Sequence, residues 1–318
     1  MTSGGPGPET LADLGEFGLI DALRAHLGTG PLVLVGPGDD AAHLALGQTG
    51  ALVSTDLLIE NKHFRRDWSS AYEIGRKAAA ANLSDINAMG GTAIALTVGF
   101  AGPPSTPVEW ALDLMRGIED EASAVGAHVV GGDVSSADTV VLGITAIGEA
   151  ATIITRDGAR PGDIVAVAGT LGLAGAGYAA LSRGFRSPKL AVDAHRLPTP
   201  PYGAGPEAAA AGATAMVDVS DGLLADLGHV AAASGVGIDL DPSAFEILEA
   251  VATVGEALQT DPLTYVLSGG DDYALAATFP SGAVVPSEWR IVGSAHDGSG
   301  MTVAGAAWDG PSGHTHYA

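Results

Sequence analysis

Cysteine is absent from this chain of 318 residues. That excludes a disulfide framework, thiolate-held zinc or iron-sulfur clusters, and a cysteine nucleophile. Positive charge is scarce: 14 Lys+Arg stand against 37 Asp+Glu, a formal net charge of -23. A surface of that sign repels polyanions, which argues against nucleic acid or an anionic membrane as partner. Aromatic residues make up only 5% of a chain that is 47% hydrophobic, so the apolar content is largely Ala, Val and Leu, a mix suited to close helix-on-sheet packing. No apolar run reaches the ~18 residues of a membrane span. The first residues, Met1-Thr2-Ser3-Gly4-Gly5-Pro6, lack the basic and then apolar order of a secretory signal, so a cytoplasmic protein is expected. Also missing are a G-x-x-x-x-G-K-[ST] loop and the H-R-D and D-F-G signatures, which excludes two common phosphoryl-transfer architectures.

What is present begins with length, enough for about two domains. In the first half, Thr10 with Asp13, and Ser70 with Glu73, form capping boxes, the second opening a helix to Met89 before Gly90-Gly91. Thr106-Pro107-Val108-Glu109 combines an N-cap, an N1 proline and a capping glutamate for a helix ending near Gly126. Strands are expected over 32–35, 51–54, 94–100, 128–130 and 140–147, with Thr55-Asp56 following one and Gly131-Gly132-Asp133 terminating another. The second half predicts strands over 164–168, 216–219, 265–267, 274–279, 290–294 and 301–303. Helices are expected over 174–183 and 223–233, with a proline-rich irregular stretch to Tyr202. The class is α+β (α/β mixed) in two similarly sized halves, 1–152 and 153–318.

Gly36-Pro37-Gly38-Asp39-Asp40-Ala41 matches a G-x-G-x-x-A dinucleotide pattern with Asp56 about 20 residues on. Asp39 and Asp40 would nevertheless face a pyrophosphate, and little room remains for a crossover helix, so nicotinamide binding is rejected. Gly175-Ala176-Gly177 fits close helix-strand packing better than a nucleotide loop. More telling is the series Asp39, Asp40, Asp56, Asp85, Asp133, Asp218, Asp221, Asp271 and Asp272, at strand ends or on a small-residue helix face. Singly, each aspartate suits a turn or a cap. Together, converging carboxylates would repel unless cations neutralise them, and all-oxygen ligation suits several Mg2+ ions that share substrate phosphates. A chain so poor in Lys and Arg needs metal to hold a polyphosphate, and nucleotide phosphates with Mg2+ are the simplest reading. His63, beside Phe64, is a candidate for substrate recognition, whereas His314-Thr315-His316 fits a polar tail.

The ordered motifs are a loosely matching Glu16-Phe17-Gly18-Leu19-Ile20, then Gly38-Asp39-Asp40, Ser54-Thr55-Asp56, Asn61-Lys62-His63-Phe64, Asn82-Leu83-Ser84-Asp85, Gly131-Gly132-Asp133, Asp218-Val219-Ser220-Asp221-Gly222 and Ser268-Gly269-Gly270-Asp271-Asp272-Tyr273. The series spans nearly the whole chain and resembles the thiamine-monophosphate kinase family. The resemblance implies the two-domain fold shared with aminoimidazole ribonucleotide synthetase, a homodimer joined through the N-terminal halves, and transfer of the ATP γ-phosphate to thiamine monophosphate. It implies Mg2+ ligation by Asp40, Ser54, Thr55, Asp56, Asp85, Asp133, Asp218 and Asp221, with Asp56, Asp85 and Asp133 holding metal at the γ-phosphate. ATP is expected against Gly131, Gly132, Arg156 and Ser220, and thiamine phosphate near His63 and Asp271; Trp308, outside the family's register, is a candidate for the ring that stacks on thiamine.

Three positions depart from the family pattern. Asp271 stands where the family usually has Glu, Ala274 where it has a second Glu, and His314 where it has an aromatic residue. No general base is obvious, and none is needed, because a phosphate monoester with a second pKa of about 6 is already largely anionic at neutral pH. Two alternatives share these motifs: an ATP-dependent enzyme resembling aminoimidazole ribonucleotide synthetase, and a non-catalytic Mg-nucleotide-binding module. Selenophosphate synthetase is disfavoured, since its usual reactive N-terminal Cys or selenocysteine has no counterpart.

Overall fold

The computed structural model describes residues 10–28, 30–35, 43–47 and 50–314. The segment 36–42, with Asp39 and Asp40, and residues 315–318 lie outside the described residues. The chain divides into two compact units, one formed up to Leu83 and by Ala93–Glu149, the other by Ser84–Thr92 and the chain from Ala150 onward. The sequence-based halves left 84–92 with the first unit.

The first unit opens with α1 (Leu11–Arg24), where Asp13 N–H donates to Thr10 Oγ1 and Thr10 N–H donates back to Asp13 Oδ2, the reciprocal pair expected of a capping box. A short antiparallel pair, β1 (Val33–Val35) and β2 (His43–Leu44), follows. The main sheet has the spatial order β3 (Leu52–Ile59), β6 (Val141–Glu149), β4 (Thr92–Gly102), β5 (His128–Ser136). Strands β3 and β6 pair antiparallel and β4 and β5 parallel. Helix α2 (Ala71–Ala88) starts at the Ser70–Glu73 box and ends at Gly90, whose φ is 76°. Helix α3 (Val108–Ser123) has Pro107 at its N-cap, and Thr106 makes no capping bond. The expected threonine cap is therefore wrong by one position: the helix starts one residue later than the motif implied, leaving Thr106 Oγ1 buried rather than against the first turn.

In the second unit the sheet has the order β12-β9-β11-β7-β10-β8. In chain order these strands are β7 (Ile164–Ala168), β8 (Ala215–Val219), β9 (Gly237–Leu240), β10 (Ala274–Phe279), β11 (Trp289–His296) and β12 (Gly300–Val303). Only the β12–β9 pair is parallel among the registered pairs of this sheet. Strand alternation sends side chains to two apolar layers. Val165, Val167, Val217 and Val219 join one with Leu223, Leu227 and Val230 of α7 (Leu223–Ser234). Ala166, Ala168, Met216, Leu275 and Phe279 join the other with Ala204 and Ala208 of α6 (Ala204–Ala210). With both faces covered, β7, β8 and β10 are apolar nearly throughout, which is why they were legible as buried strands.

Helices α4 (Leu173–Ser182), α5 (Lys189–Arg196), α8 (Glu249–Leu258) and α9 (Pro262–Ser268) complete this unit. Two sequence expectations fail there. The 265–267 strand is the end of α9, where Pro262 at the first helical position and the Asp261 carboxylate, accepting from Leu263 N–H at 3.0 Å, override the β-favouring Tyr265-Val266 pair. The supposedly irregular 184–202 stretch contains α5, which Pro188 precedes at the N-cap and Pro198 follows.

Candidate active site

In the first unit the candidate residues ride on strands. Ser54, Thr55 and Asp56 lie inside β3, which runs on to Ile59, and not beyond its end. Asp56 is half-buried, and its N–H donates at 3.0 Å to Oδ1 of the fully buried Asn82, whose Nδ2 donates to Ala78 O. Asn82 thus ties β3 to α2 at the position of the acid, a role the motif did not announce. Thr55 and Thr145 share a hydroxyl hydrogen bond of 2.8 Å across the strand pair. In the turn after β3, His63 Nδ1 accepts the Ile59 N–H at 2.9 Å, which leaves Nε2 to carry the proton of the neutral ring.

Gly131, Gly132 and Asp133 do not terminate β5, which continues to Ser136. A register shift between Leu96 and Thr97 brings β4 so close that a β-carbon on Gly132 would lie 2.0 Å from Val98 O. Glycine is required there for the backbones to approach, and Asp133, paired in register with Gly99, is displayed to solvent on the continued strand.

The second unit places its acids differently. Asp218, on β8, is 4% exposed and accepts a 2.9 Å hydrogen bond from Ser84 Oγ. Burial pushes its carboxyl up to about 8, the negative charge of Asp85 adds to the rise, and the Ser84 bond and the Arg156 charge oppose it. Arg156 is otherwise exposed, and its carbonyl accepts from Ser234 Oγ. Beyond β8, the backbone N–H groups of Ser220, Asp221 and Gly222 all donate at 3.0 Å to one oxygen of Asp226. Asp226 sits in the first turn of α7 and is pushed up to about 6 by burial, against which those N–H bonds act. The sequence offers only a faint signal for it, an acid in the first helical turn after Ser220-Asp221-Gly222.

A second loop lies along the first: Asp271 N–H donates to Ser220 O and Tyr273 N–H to Val219 O, each at 2.9 Å. Asp271 adopts a φ of 65° and Tyr273 of 50°, uncommon for residues other than glycine. Between them Asp272 turns inward, accepting from the N–H groups of Gly172 and Ala174 at the start of α4. Burial pushes its carboxyl up to about 7, against those two bonds. The His314 N–H donates to Asp221 O at 3.0 Å, so the tail docks on the same loop. Trp308 is half-buried against the sheet core, and its Nε1 donates to Pro311 O at 3.1 Å.

Within this unit the fold therefore brings Ser220, Asp221 and Asp271 onto adjoining loops, with the Asp85–Asp218 acid pair at the end of β8. Asp40 lies outside the described residues. Among the described residues, no three His, Cys, Asp or Glu side chains form a group able to hold a metal ion by themselves. No described helix is long and apolar enough to cross a membrane.

The models of two families match the chain: AIR synthase related protein, N-terminal domain, over residues 38–150, and its C-terminal domain over residues 160–303. A thiamine-monophosphate kinase of Mycobacterium tuberculosis is 46% identical over 308 residues, covering 96% of this chain and 92% of the relative. The crystal structure of thiamine-monophosphate kinase from Stenotrophomonas maltophilia K279a matches with a TM-score of 0.80 at 31% identity, over 91% of this chain and 96% of that one. A structure of AaThiL complexed with AMPPCP and TMP matches with a TM-score of 0.80 at 30% identity, over 95% of this chain and 98% of that one. Matched through both halves and at this level of identity, the chain belongs to the AIR synthase related family, on its thiamine-monophosphate kinase branch.

Proposed function

We propose that this protein transfers the γ-phosphoryl group of ATP directly to the phosphate of thiamine monophosphate, giving thiamine diphosphate and ADP. The observation that carries the reading is the near full-length likeness to thiamine-monophosphate kinases, which extends through every acid motif described above. An acceptor phosphate oxygen forms the new bond to Pγ as the bond from Pγ to the β-phosphate oxygen breaks. The acceptor needs no base, since its second pKa of about 6 leaves it largely dianionic. The work left to the chain is to align two anions and offset their repulsion.

The donor chemistry fits Mg2+. Asp85 and Asp218 are all-oxygen donors whose mutual repulsion a cation would relieve. One or two carboxylates with the remaining positions filled by phosphates and water is the usual Mg2+ arrangement, so the lack of a three-acid cage is no obstacle. When bound, Mg2+ supplies the positive charge that the chain's few basic residues do not. Asp40, Ser54, Thr55, Asp56, Asp85, Asp133, Asp218 and Asp221 would hold several such ions. Gly131, Gly132, Arg156 and Ser220 bind ATP, and His63, Asp271 and Trp308 bind the thiamine phosphate. In this reading the half 1–152 carries ATP and metal binding and the dimer contact. Val53 and Leu57 support that contact, being 64% and 59% exposed on the outer face of β3, an apolar surface suited to a second copy. We place the reaction in the cytoplasm, in keeping with a chain free of cysteine.

The test is chromatographic detection of thiamine diphosphate from ATP, Mg2+ and thiamine monophosphate. Product formation is expected. Mg-ATP binding without product would favour another substrate in the same fold, or a binding module without turnover.

A further inference from the structure

Among the described residues, one buried histidine that the reaction does not call upon touches a residue of the proposed substrate site. His195, on α5, is 6% exposed, and its Nδ1 lies 3.5 Å from Oδ2 of Asp271. The other oxygen, Oδ1, accepts from the Tyr273 hydroxyl, Oη, at 3.3 Å, so the carboxylate is approached from both sides. The histidine is itself held in place. Ala191, Val192 and His195 form the buried face of α5, and the His195 ring packs at 5.6 Å and a 57° tilt against Tyr178 of α4. The two helices meet at Gly177, where a β-carbon would fall 2.0 Å from Ala191 O and 3.0 Å from His195 Cβ.

We propose that His195 is a positioning residue that aims the Asp271 carboxylate at the thiamine phosphate. The inference rests on the reading of Asp271 as a substrate contact and adds how a shortened acid can serve there. An aspartate reaches one methylene less far than the glutamate usual in the family, and it stands on a backbone with φ of 65°. Its direction therefore depends on what meets its oxygens. A histidine ring on a rigid helix pair fixes one oxygen at little entropic cost, because the ring has nowhere else to go.

The test is steady-state kinetics of His195→Ala, His195→Asn and Asp271→Asn, and of the His195→Ala, Asp271→Asn double variant, with melting curves for each. His195→Ala should raise KM for thiamine monophosphate about five- to tenfold, through loss of the contact that orients the carboxylate, with KM for ATP unchanged. His195→Asn, which keeps a donor near the Nδ1 position, should recover most of that loss. In the Asp271→Asn background, His195→Ala should add little, since coupled residues are not additive. An unchanged KM for thiamine monophosphate in a folded His195→Ala protein overturns the proposal, as does an equal rise for both substrates or full additivity with Asp271→Asn. Wild-type protein that makes no thiamine diphosphate would overturn the reading of the reaction itself and this inference with it.

Discussion

The acids of the two units are held by different means. In the first unit Asp56 and Asp133 project from strands, half-buried and exposed respectively, and the strand at Asp56 is also tied to α2 by the Asn82 side chain. In the second, Asp218, Asp226 and Asp272 are buried, all are raised above the ordinary carboxylate range by desolvation, and each accepts a specific hydrogen bond. An exposed acid costs the fold little and is available to a ligand. A buried one stores unfavourable desolvation that either a backbone N–H cluster or an arriving cation can offset. Asp226 and Asp272 take the first course and organise loops, while Asp218, facing Asp85, suits the second.

The contrast can be broken most sharply at the acid pair. Asp85→Ala should lower turnover on the order of a hundredfold or more, the scale of a charge-stabilising group in a closed site, with the melting temperature held or raised as repulsion with Asp218 is relieved. Activity measured beside a thermal melt checks both halves of that statement. Next comes Asp226→Ala, which leaves three loop N–H groups without their acceptor. It should cost about 2–3 kcal/mol in denaturant unfolding.

In the first unit the comparable weak point is backbone and not carboxylate. Gly132→Ala forces a β-carbon to 2.0 Å from Val98 O and should cost about 1–3 kcal/mol by the same measurement. Asp133→Asn, one residue on, should leave stability within about 0.5 kcal/mol.

The smallest effect concerns pH. Burial raises the folded-state pKa of Asp272 to about 7, well above the ordinary carboxylate range, so the fold binds its proton more tightly than the unfolded chain does. Its contribution to stability is full below the unfolded value and is lost as pH rises through about 7. The melting temperature of Asp272→Asn should accordingly fall less than that of wild type between pH 4 and 7. A parallel pair of curves would remove Asp272 as a titrating site.

Much of this was legible beforehand where local chemistry decides. Reciprocal Ser/Thr and acid pairs at Thr10–Asp13 and Ser70–Glu73 open helices as their spacing implied, because a cap needs only residues within one turn. Fully apolar β7 and β10 were legible because both faces of their sheet are covered. Tyr265-Val266-Leu267 misled because propensity is weak against an Asp-Pro helix start. Gly131-Gly132 misled because glycine marks both strand ends and close backbone approach, and only the β4 register tells which. At the site, the acids stood out by recurrence. Asn82, Asp226 and His195 did not, since each acts through a partner distant in the chain or through a loop whose path the sequence does not state.

The most direct test of the central claim is the rate of thiamine diphosphate formation against free Mg2+ for wild type and Asp218→Asn. If this acid helps to hold metal for transfer from ATP to thiamine monophosphate, wild type falls silent on chelation and recovers with Mg2+, while the variant needs markedly more Mg2+ to reach a lower plateau. Identical Mg2+ dependence in the two proteins, or product formed without divalent metal, would contradict it.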